Sequence, residues 1–168
     1  MRLERPSIAW EKEHQMYVAE WGPSRMTPSS FNLNGFDNYE GFLKELAKRE
    51  SGLGNWLPST NYFLVNEADR VLGMVDIRHE LNDFLYRIGG HIGYSVRPSE
   101  RRKGYATLIL AKALEECREL GMDKVLVTCD EDNIGSAKVI LHNGGIEDVS
   151  ERDTDGTRKR RFWITINN

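Results

Sequence analysis

The sequence predicts an α/β protein, folded as a three-layer α/β/α sandwich around a mixed, mostly antiparallel sheet with a central parallel strand–helix–strand unit. Two observations carry this prediction. In the run from His91 to Gly121, apolar residues first alternate and then recur at helical spacing. Along the whole chain the elements follow the order helices, hairpin, strand–helix–strand, helix, hairpin. We expect one domain over residues 1–168, which is long enough for a real core.

The first third of the chain is predicted to be mainly helical. A short edge strand is expected around Leu3, followed by a helix over residues 8–21. Residues 22–36 contain Pro, Ser, Asn and Gly and are typical of a loop. Asp37, with a glutamate three residues later, resembles a capping box and predicts a second helix to about residue 51.

Strands begin after a further loop over residues 52–59. A strand at 61–65 and its partner at 71–78 are joined by a polar turn, and Gly73 marks a bulge or a close approach of two backbones. A connection over 79–90 leads to a strand over 91–96, which ends at Arg97-Pro98. A helix then runs from Ala106 and stops at Gly121, and a strand follows over 124–129. The last elements are a helix from Asn133 to about 142 and a hairpin of strands 146–152 and 158–166, which turns at Asp155-Gly156.

Composition excludes several functional classes. Hydrophobic residues make up 39% of the chain, charged residues 29%, and the formal net charge is −3, so the molecule as a whole is no nucleic-acid binder. Cys117 and Cys129 form no disulfide framework and no metal-ligand spacing. No apolar run is long enough to span a bilayer, and no signal peptide follows Met1. We therefore expect a reduced cytoplasm, with no metal, no membrane and no nucleic acid as partners.

A basic turn between the strand at 91–96 and the following helix indicates an anion site. It carries Arg101, Arg102 and Lys103 beside a helix start, where backbone N–H groups are unpaired and the helix dipole is positive. Gly104 and Ala106 are small enough for an anion to approach the backbone. These properties suit a pyrophosphate, although neither a Walker A loop nor a dinucleotide fingerprint is present.

The same turn resembles a known family. Arg101-x-x-Gly104-x-Ala106 matches the acyl-CoA signature [QR]-x-x-G-x-[GA] of the GNAT N-acetyltransferase superfamily, and its context of strand, amphipathic helix, second strand and Asn-led helix is similar as well. The resemblance covers roughly residues 61–166. It implies the GNAT fold, acetyl-CoA as cosubstrate and an amine-bearing acceptor. Homodimers are common in the family, but no feature of this sequence fixes the oligomeric state.

The resemblance also implies which residues hold the cofactor. The pantetheine would lie between the strand ends at Val96 and Cys129, in keeping with the rule that ligands bind where strands change connection. Asn133 matches the family asparagine that contacts pantetheine, and it is equally suited to capping a helix. The implied cofactor-binding residues are Ser95, Val96, Arg97, Arg101, Arg102, Lys103, Gly104, Tyr105, Ala106, Thr107, Asn133 and Ser136.

Catalysis requires a base for the amine. His91 occupies a position where many members carry Glu, and its ordinary pKa of about 6.5 suits the task. A hydrogen-bonded structural histidine is an equally good interpretation. His79 is the second candidate for the base, and its alternative is a structural or substrate-contacting role. Three acidic residues would either orient a cationic amine or be solvated loop charges: Glu80, Asp130 and Glu131.

The leaving thiolate poses a second question. Many members carry a Tyr seven residues after the asparagine, and here that position is Ile140, which has no proton to donate. Tyr94 or a water would take its place, or none is needed, because a thiol pKa near 8.5 makes the thiolate a tolerable leaving group. Cys129 invites an acyl-enzyme hypothesis, but no neighbouring base activates it.

Two readings of function therefore stay open: an N-acetyltransferase acting by direct attack of the amine, and a non-catalytic acyl-CoA sensor of the same fold. The basic tract from Arg158 to Arg161 would suit RNA, but flanking acids favour a solvated hairpin arm. The acceptor pocket would lie within residues 22–60 and 79–90. Aromatic residues there and nearby line that pocket or belong to the core: Trp21, Phe31, Phe36, Trp56 and Tyr86.

Overall fold

The computed structural model describes residues 1–54 and 57–166, which form three layers. Helices α1 (Glu11–Trp21) and α2 (Tyr39–Glu50) cover one face of the strands, and α3 (Tyr105–Glu119) and α4 (Ile134–His142) cover the other. The strands are β1 (Arg2–Glu4), β2 (Ser59–Val65), β3 (Val71–Arg78), β4 (Ile92–Val96), β5 (Lys124–Asp130), β6 (Ile146–Arg152) and β7 (Arg158–Thr165). In the described ranges, no helix is both long and apolar enough to cross a membrane.

The strands divide into two antiparallel sheets, in the orders β1-β2-β3-β4 and β5-β7-β6. The sequence predicted one mixed sheet with a parallel pair at its centre, and the structure differs there. Within the described residues, β4 pairs only with β3, and β5 pairs only with β7. A junction at one point therefore replaces the expected parallel ladder between β4 and β5.

That junction lies just before β4. The main-chain N–H of His91 donates to the Leu126 carbonyl at 2.7 Å, and the Leu126 N–H donates to the His91 Nδ1 at 2.9 Å. The preceding Gly90 has φ +67°, and a Cβ there would lie 2.7 Å from the Leu126 oxygen. Only glycine allows this approach. A π-helical turn over Leu85–Gly89 directly precedes Gly90 and leads into the junction.

Two cores hold the layers together. One joins α3 and α4 to the strands, and its buried side chains include Ile109, Ile140 and Phe162. The other joins α1 and α2 to β2 and β3, and it includes Tyr17 and Phe42. Neighbouring residues of β2 therefore enter different cores, as Phe63 and Leu64 do, and so do Val71 and Leu72 of β3.

Several predicted details can be compared with the structure. The close approach at Gly73 is confirmed, since a Cβ there would lie 2.6 Å from the Ser95 oxygen. The capping box at Asp37 is wrong, because Asn38 caps α2 and accepts a hydrogen bond from the Gly41 N–H at 2.9 Å. Trp56, named above for the acceptor pocket, lies outside the described residues.

Candidate functional site

The facing edges of β4 and β5 form a gap that opens from the His91–Leu126 junction towards the strand ends. Arg97 N–H donates to the Leu72 carbonyl, and Arg78 N–H donates to the His91 carbonyl, both at 2.8 Å. Because backbone groups alternate along an antiparallel strand, those of residues 93, 95 and 97 face β3. The N–H and C=O groups of Tyr94 and Val96 therefore face the gap, where an extended amide-containing arm can pair with them.

The side chains of Ser95 and Arg97 point away from the gap. This placement does not support the contact with the cofactor that the sequence predicted for them. Their backbones pair with β3, and their side chains face α1. The Ser95 hydroxyl lies 2.8 Å from the Tyr17 hydroxyl. The Arg97 guanidinium is 1% exposed and donates to Glu20 at 2.6 Å and Glu13 at 2.9 Å. Both side chains are buried because they bond to α1, and these bonds hold β4 against α1.

The turn after β4 forms a concave run of backbone N–H groups. Pro98–Glu100 make a 3₁₀ turn, after which Arg102 has φ +67° and Gly104 has φ +83°. Left-handed residues within a turn are a feature of anion-binding nests, in which successive backbone N–H groups point to one side. The first helical residues after this turn are Tyr105, Ala106 and Thr107. Their N–H groups have no helical partner, since the first helical bond runs from Leu108 N–H to the Gly104 carbonyl at 3.2 Å.

The basic side chains of this turn are held in different ways. Arg101 stacks on the Trp21 ring at 4.8 Å and donates from Nε to the Val96 carbonyl at 3.4 Å. Lys103 pairs with Glu100 at 2.8 Å, which raises the lysine pKa. The Arg102 side chain is exposed. The turn thus presents both amides and cations to the mouth of the gap, as a diphosphate requires.

The first turn of α4 forms the opposite wall. The Asn133 side chain accepts a hydrogen bond from the Ser136 N–H at 3.0 Å, so the capping role is present. The Ser136 Oγ lies 2.9 Å from the Tyr94 Oη, which joins this wall to β4. The structure therefore brings together Tyr94, Val96, Asn133 and Ser136 around one gap.

The contacts of His91 oppose its predicted role as base. Its Nδ1 accepts the Leu126 N–H, so the neutral ring carries its proton on Nε2 and has no lone pair left for a substrate proton. Burial, together with the nearby Arg78 charge, lowers the pKa of His91 to about 4. His91 is 8% exposed and packs edge-on against Trp163. These contacts are those of the structural histidine considered as the alternative.

His79 follows β3 and is partly exposed. Its Nε2 lies 2.8 Å from the Thr60 hydroxyl, and its main-chain N–H donates to the Pro58 carbonyl at 2.8 Å. It lies beside Arg78, whose main-chain N–H donates to the His91 carbonyl just before β4.

Three further residues bear on the thiolate and acyl-enzyme questions. Ile140 is fully buried in the core. Burial raises the pKa of the Tyr94 hydroxyl to about 12, so it stays protonated at neutral pH. Burial also raises the pKa of the Cys129 thiol to about 11, and a neutral thiol is a poor nucleophile.

The remaining predicted surfaces have partners within the chain. Each cation from Arg158 to Arg161 pairs with a carboxylate, respectively Glu131, Asp130, Glu147 and Asp148. The predicted solvated arm is correct only for Arg158, because Lys159 and Arg160 are half-buried and Arg161 is buried. Of the aromatic residues, Phe31 is fully buried, Phe36 packs against the same core, and Tyr86 is half exposed beside Trp163.

Sequence reasoning missed the residues that support β4 from below, above all Tyr17, Glu13 and Glu20 on α1. Their partners on β4 are about 80 residues further along the chain, as the Tyr17–Ser95 bond shows with a separation of 78. No local pattern encodes such a pairing.

A scan against family models matches residues 6–146 to the acetyltransferase (GNAT) domain. A search of curated proteins finds no match. Among solved structures, a chimera of the spermidine N-acetyltransferase SpeG from Vibrio cholerae and hSSAT is similar, with a TM-score of 0.71, 14% identity, and 98% of this chain and 96% of that chain covered.

Two further structures show the same fold. The putative acetyltransferase yncA from Salmonella typhimurium, solved with acetyl-CoA, has a TM-score of 0.65 and 12% identity over 99% of this chain and 94% of that chain. A putative ribosomal-protein-serine acetyltransferase from Vibrio cholerae has a TM-score of 0.63 and 16% identity, covering 97% and 92%. With most of its length matched by the family model and its α/β architecture shared with these structures, the chain belongs to the GNAT family of acetyltransferases, which use acetyl-CoA.

Proposed function

We propose that this acetyltransferase transfers the acetyl group of acetyl-CoA to a primary amine by direct attack. The observation that carries the proposal is the gap between β4 and β5, which ends on the nest at Gly104. The amides of residues 105–107 and the Arg102 guanidinium would hold the pyrophosphate. The gap-facing backbone groups of Tyr94 and the Val96 N–H, with Asn133 opposite, would hold the pantetheine arm.

The same gap supplies what the reaction needs. Val96 N–H, directed into the gap, is suited to stabilise the oxyanion that forms when the amine attacks the thioester carbonyl. The strand edges fix the thioester while the acceptor approaches from the end of the sheet near His79. We propose His79 as the base to test, because His91 has no free lone pair.

The proposal is tested by measuring CoA release with a panel of amines. The panel includes spermidine and a serine-containing peptide with a free amino group, since the names of similar structures mention spermidine and ribosomal-protein serine. We expect CoA release that depends on both acetyl-CoA and one class of amine. Tight CoA binding without release for any amine would favour the sensor, for which the buried Ile140 is the supporting observation.

A replacement of His79 by glutamine tests the base. We expect kcat to fall by about a hundredfold or more below pH 8, in the range for loss of a general base. Activity within twofold of the parent would contradict the assignment and leave the amine proton to solvent.

The buried free thiols Cys117 and Cys129 support the cytoplasm as the compartment. We also propose that residues 1–168 form a single domain.

A further inference from the structure

We propose that Tyr94, with its hydroxyl oriented by Ser136, donates a hydrogen bond to the sulfur of CoA as the thiolate leaves. The proposal rests on the function proposed above, because it concerns the same gap. It assigns to β4 a catalytic side chain that the position of Ile140 on α4 does not supply.

The placement of Tyr94 is the first argument. It lies in the middle of β4, on the face that packs against α3 and α4. Its backbone faces the gap, and its hydroxyl reaches the Ser136 Oγ at 2.9 Å on the first turn of α4. One residue thus contributes both main chain and hydroxyl to the space between the two walls.

The hydrogen-bond inventory of this cluster is the second argument. Ser136 Oγ has one proton to donate, and either hydroxyl of the pair can be the donor. When Ser136 donates to the Tyr94 oxygen, the Tyr94 proton is available for a second acceptor. The Cys129 thiol also interacts with Ser136, so a third polar atom lies beside the pair and keeps this corner of the gap polar.

The geometry of α4 is the third argument. A helical side chain reaches back over the turn that precedes it, so a residue at position 140 would place its end over the turn that holds Ser136. Ile140 instead is buried in the core. Tyr94 brings a hydroxyl to that same turn from the opposite wall.

The chemistry decides between donating a hydrogen bond and transferring the proton. Burial raises the Tyr94 pKa to about 12, whereas a thiol ionises near 8.5. Tyr94 therefore keeps its proton while the sulfur carries the charge. The amine nitrogen bonds to the carbonyl carbon, the carbon–sulfur bond breaks with its electron pair on sulfur, the thiolate takes a proton from solvent, and the amine proton leaves to the base.

The experiment titrates the thiol of CoA bound to the enzyme, followed by the ultraviolet absorbance of the thiolate. Tyr94→Phe keeps the ring and removes only the hydroxyl. Tyr17→Phe is the matched control, because Tyr17 also bonds a serine of β4 at 2.8 Å, its pKa is also raised by burial to about 12, and it lies on the opposite face of the strand.

We expect the pKa of the bound thiol to rise by about one unit or more in Tyr94→Phe, corresponding to a tenfold or larger loss of thiolate stabilisation. In Tyr17→Phe it should match the parent. For turnover, kcat in Tyr94→Phe should fall about tenfold to a hundredfold, as for loss of a charge-stabilising donor, with the KM for acetyl-CoA within threefold. Ser136→Ala should give a smaller change of the same sign.

Three results would overturn the inference. If CoA binds and its thiol pKa and kcat are the same in the parent and in Tyr94→Phe, Tyr94 has no role at the sulfur, while the proposed acetyltransfer stands. If the shift appears equally in Tyr17→Phe, it reports a general disturbance of β4. Failure of the parent to bind CoA at all would overturn the proposed function together with the inference.

Discussion

Replacing His91 separates a structural histidine from a catalytic one. The His91 Nδ1 accepts the N–H of Leu126, a residue that is fully buried. In His91→Asn the side-chain carbonyl oxygen occupies nearly the place of Nδ1, so this variant keeps the acceptor and loses the titratable ring. His91→Ala removes both.

The magnitudes follow from these contacts. Leaving a buried N–H without a partner costs about 1–3 kcal/mol, and truncating the buried ring adds to that, so we expect a loss of about 3 kcal/mol in His91→Ala. At about 2–4 °C per kcal/mol for a chain of this size, its Tm should fall by about 6–12 °C. His91→Asn should lose less than half as much.

The assay combines thermal unfolding with steady-state kinetics on the amine identified in the panel. We expect His91→Asn to retain kcat within about fivefold of the parent, since a structural role needs only the acceptor. Loss of a general base would lower kcat by about a hundredfold or more. A His91→Asn protein with nearly parental Tm and a hundredfold lower kcat would refute the structural assignment.

Three further predictions concern stability. Burial lowers the pKa values of His14 and His91 to about 4, so between pH 6.5 and 4 the unfolded chain binds more protons than the folded chain. Denaturation curves should therefore show that the free energy of unfolding decreases as the pH is lowered through this range, by at most about 1.4 kcal/mol per pH unit for each histidine. Above pH 7 these histidines should cause no such dependence. Gly73→Ala should cost at least about 2 kcal/mol in calorimetry, because the added Cβ meets a backbone oxygen 2.6 Å away; a cost below 0.5 would contradict the close approach. Arg97→Leu should cost about 2–4 kcal/mol by leaving two glutamates of α1 without their buried partner, and unchanged urea unfolding would contradict the ion cluster.

Local patterns were sufficient to predict the order and type of most elements. The strand and helix on either side of the basic turn were marked by strong periodicity and by Pro98 and Gly121. The turn proposed to hold the pyrophosphate could be located for the same reason, since Gly104 and the three basic residues are neighbours in sequence. The left-handed backbone of Arg102 was not, because nothing in its side chain demands that conformation.

Non-local geometry accounts for what the sequence did not reveal. The junction between β4 and β5 depends on the reciprocal bonds of His91 and Leu126, which lie 35 residues apart. Through the same bonds His91 links β4 to β5, whereas the sequence offered it as the catalytic base. Whether Ser95 and Arg97 face the gap or α1 depends on strand register, which a one-residue shift would reverse.

Calorimetric titration with acetyl-CoA, run on the parent and on Gly104→Asp and Gly104→Asn, tests the cofactor site most directly. Both substitutions tolerate the left-handed backbone of Gly104, and nothing lies within 4 Å of the added Cβ, so the two variants differ mainly in charge. We predict micromolar binding by the parent, and binding by Gly104→Asp at least about tenfold weaker than by Gly104→Asn, because the carboxylate faces the diphosphate. Equal affinities for the two folded variants, or no binding by the parent, would contradict the placement of the pyrophosphate on this turn.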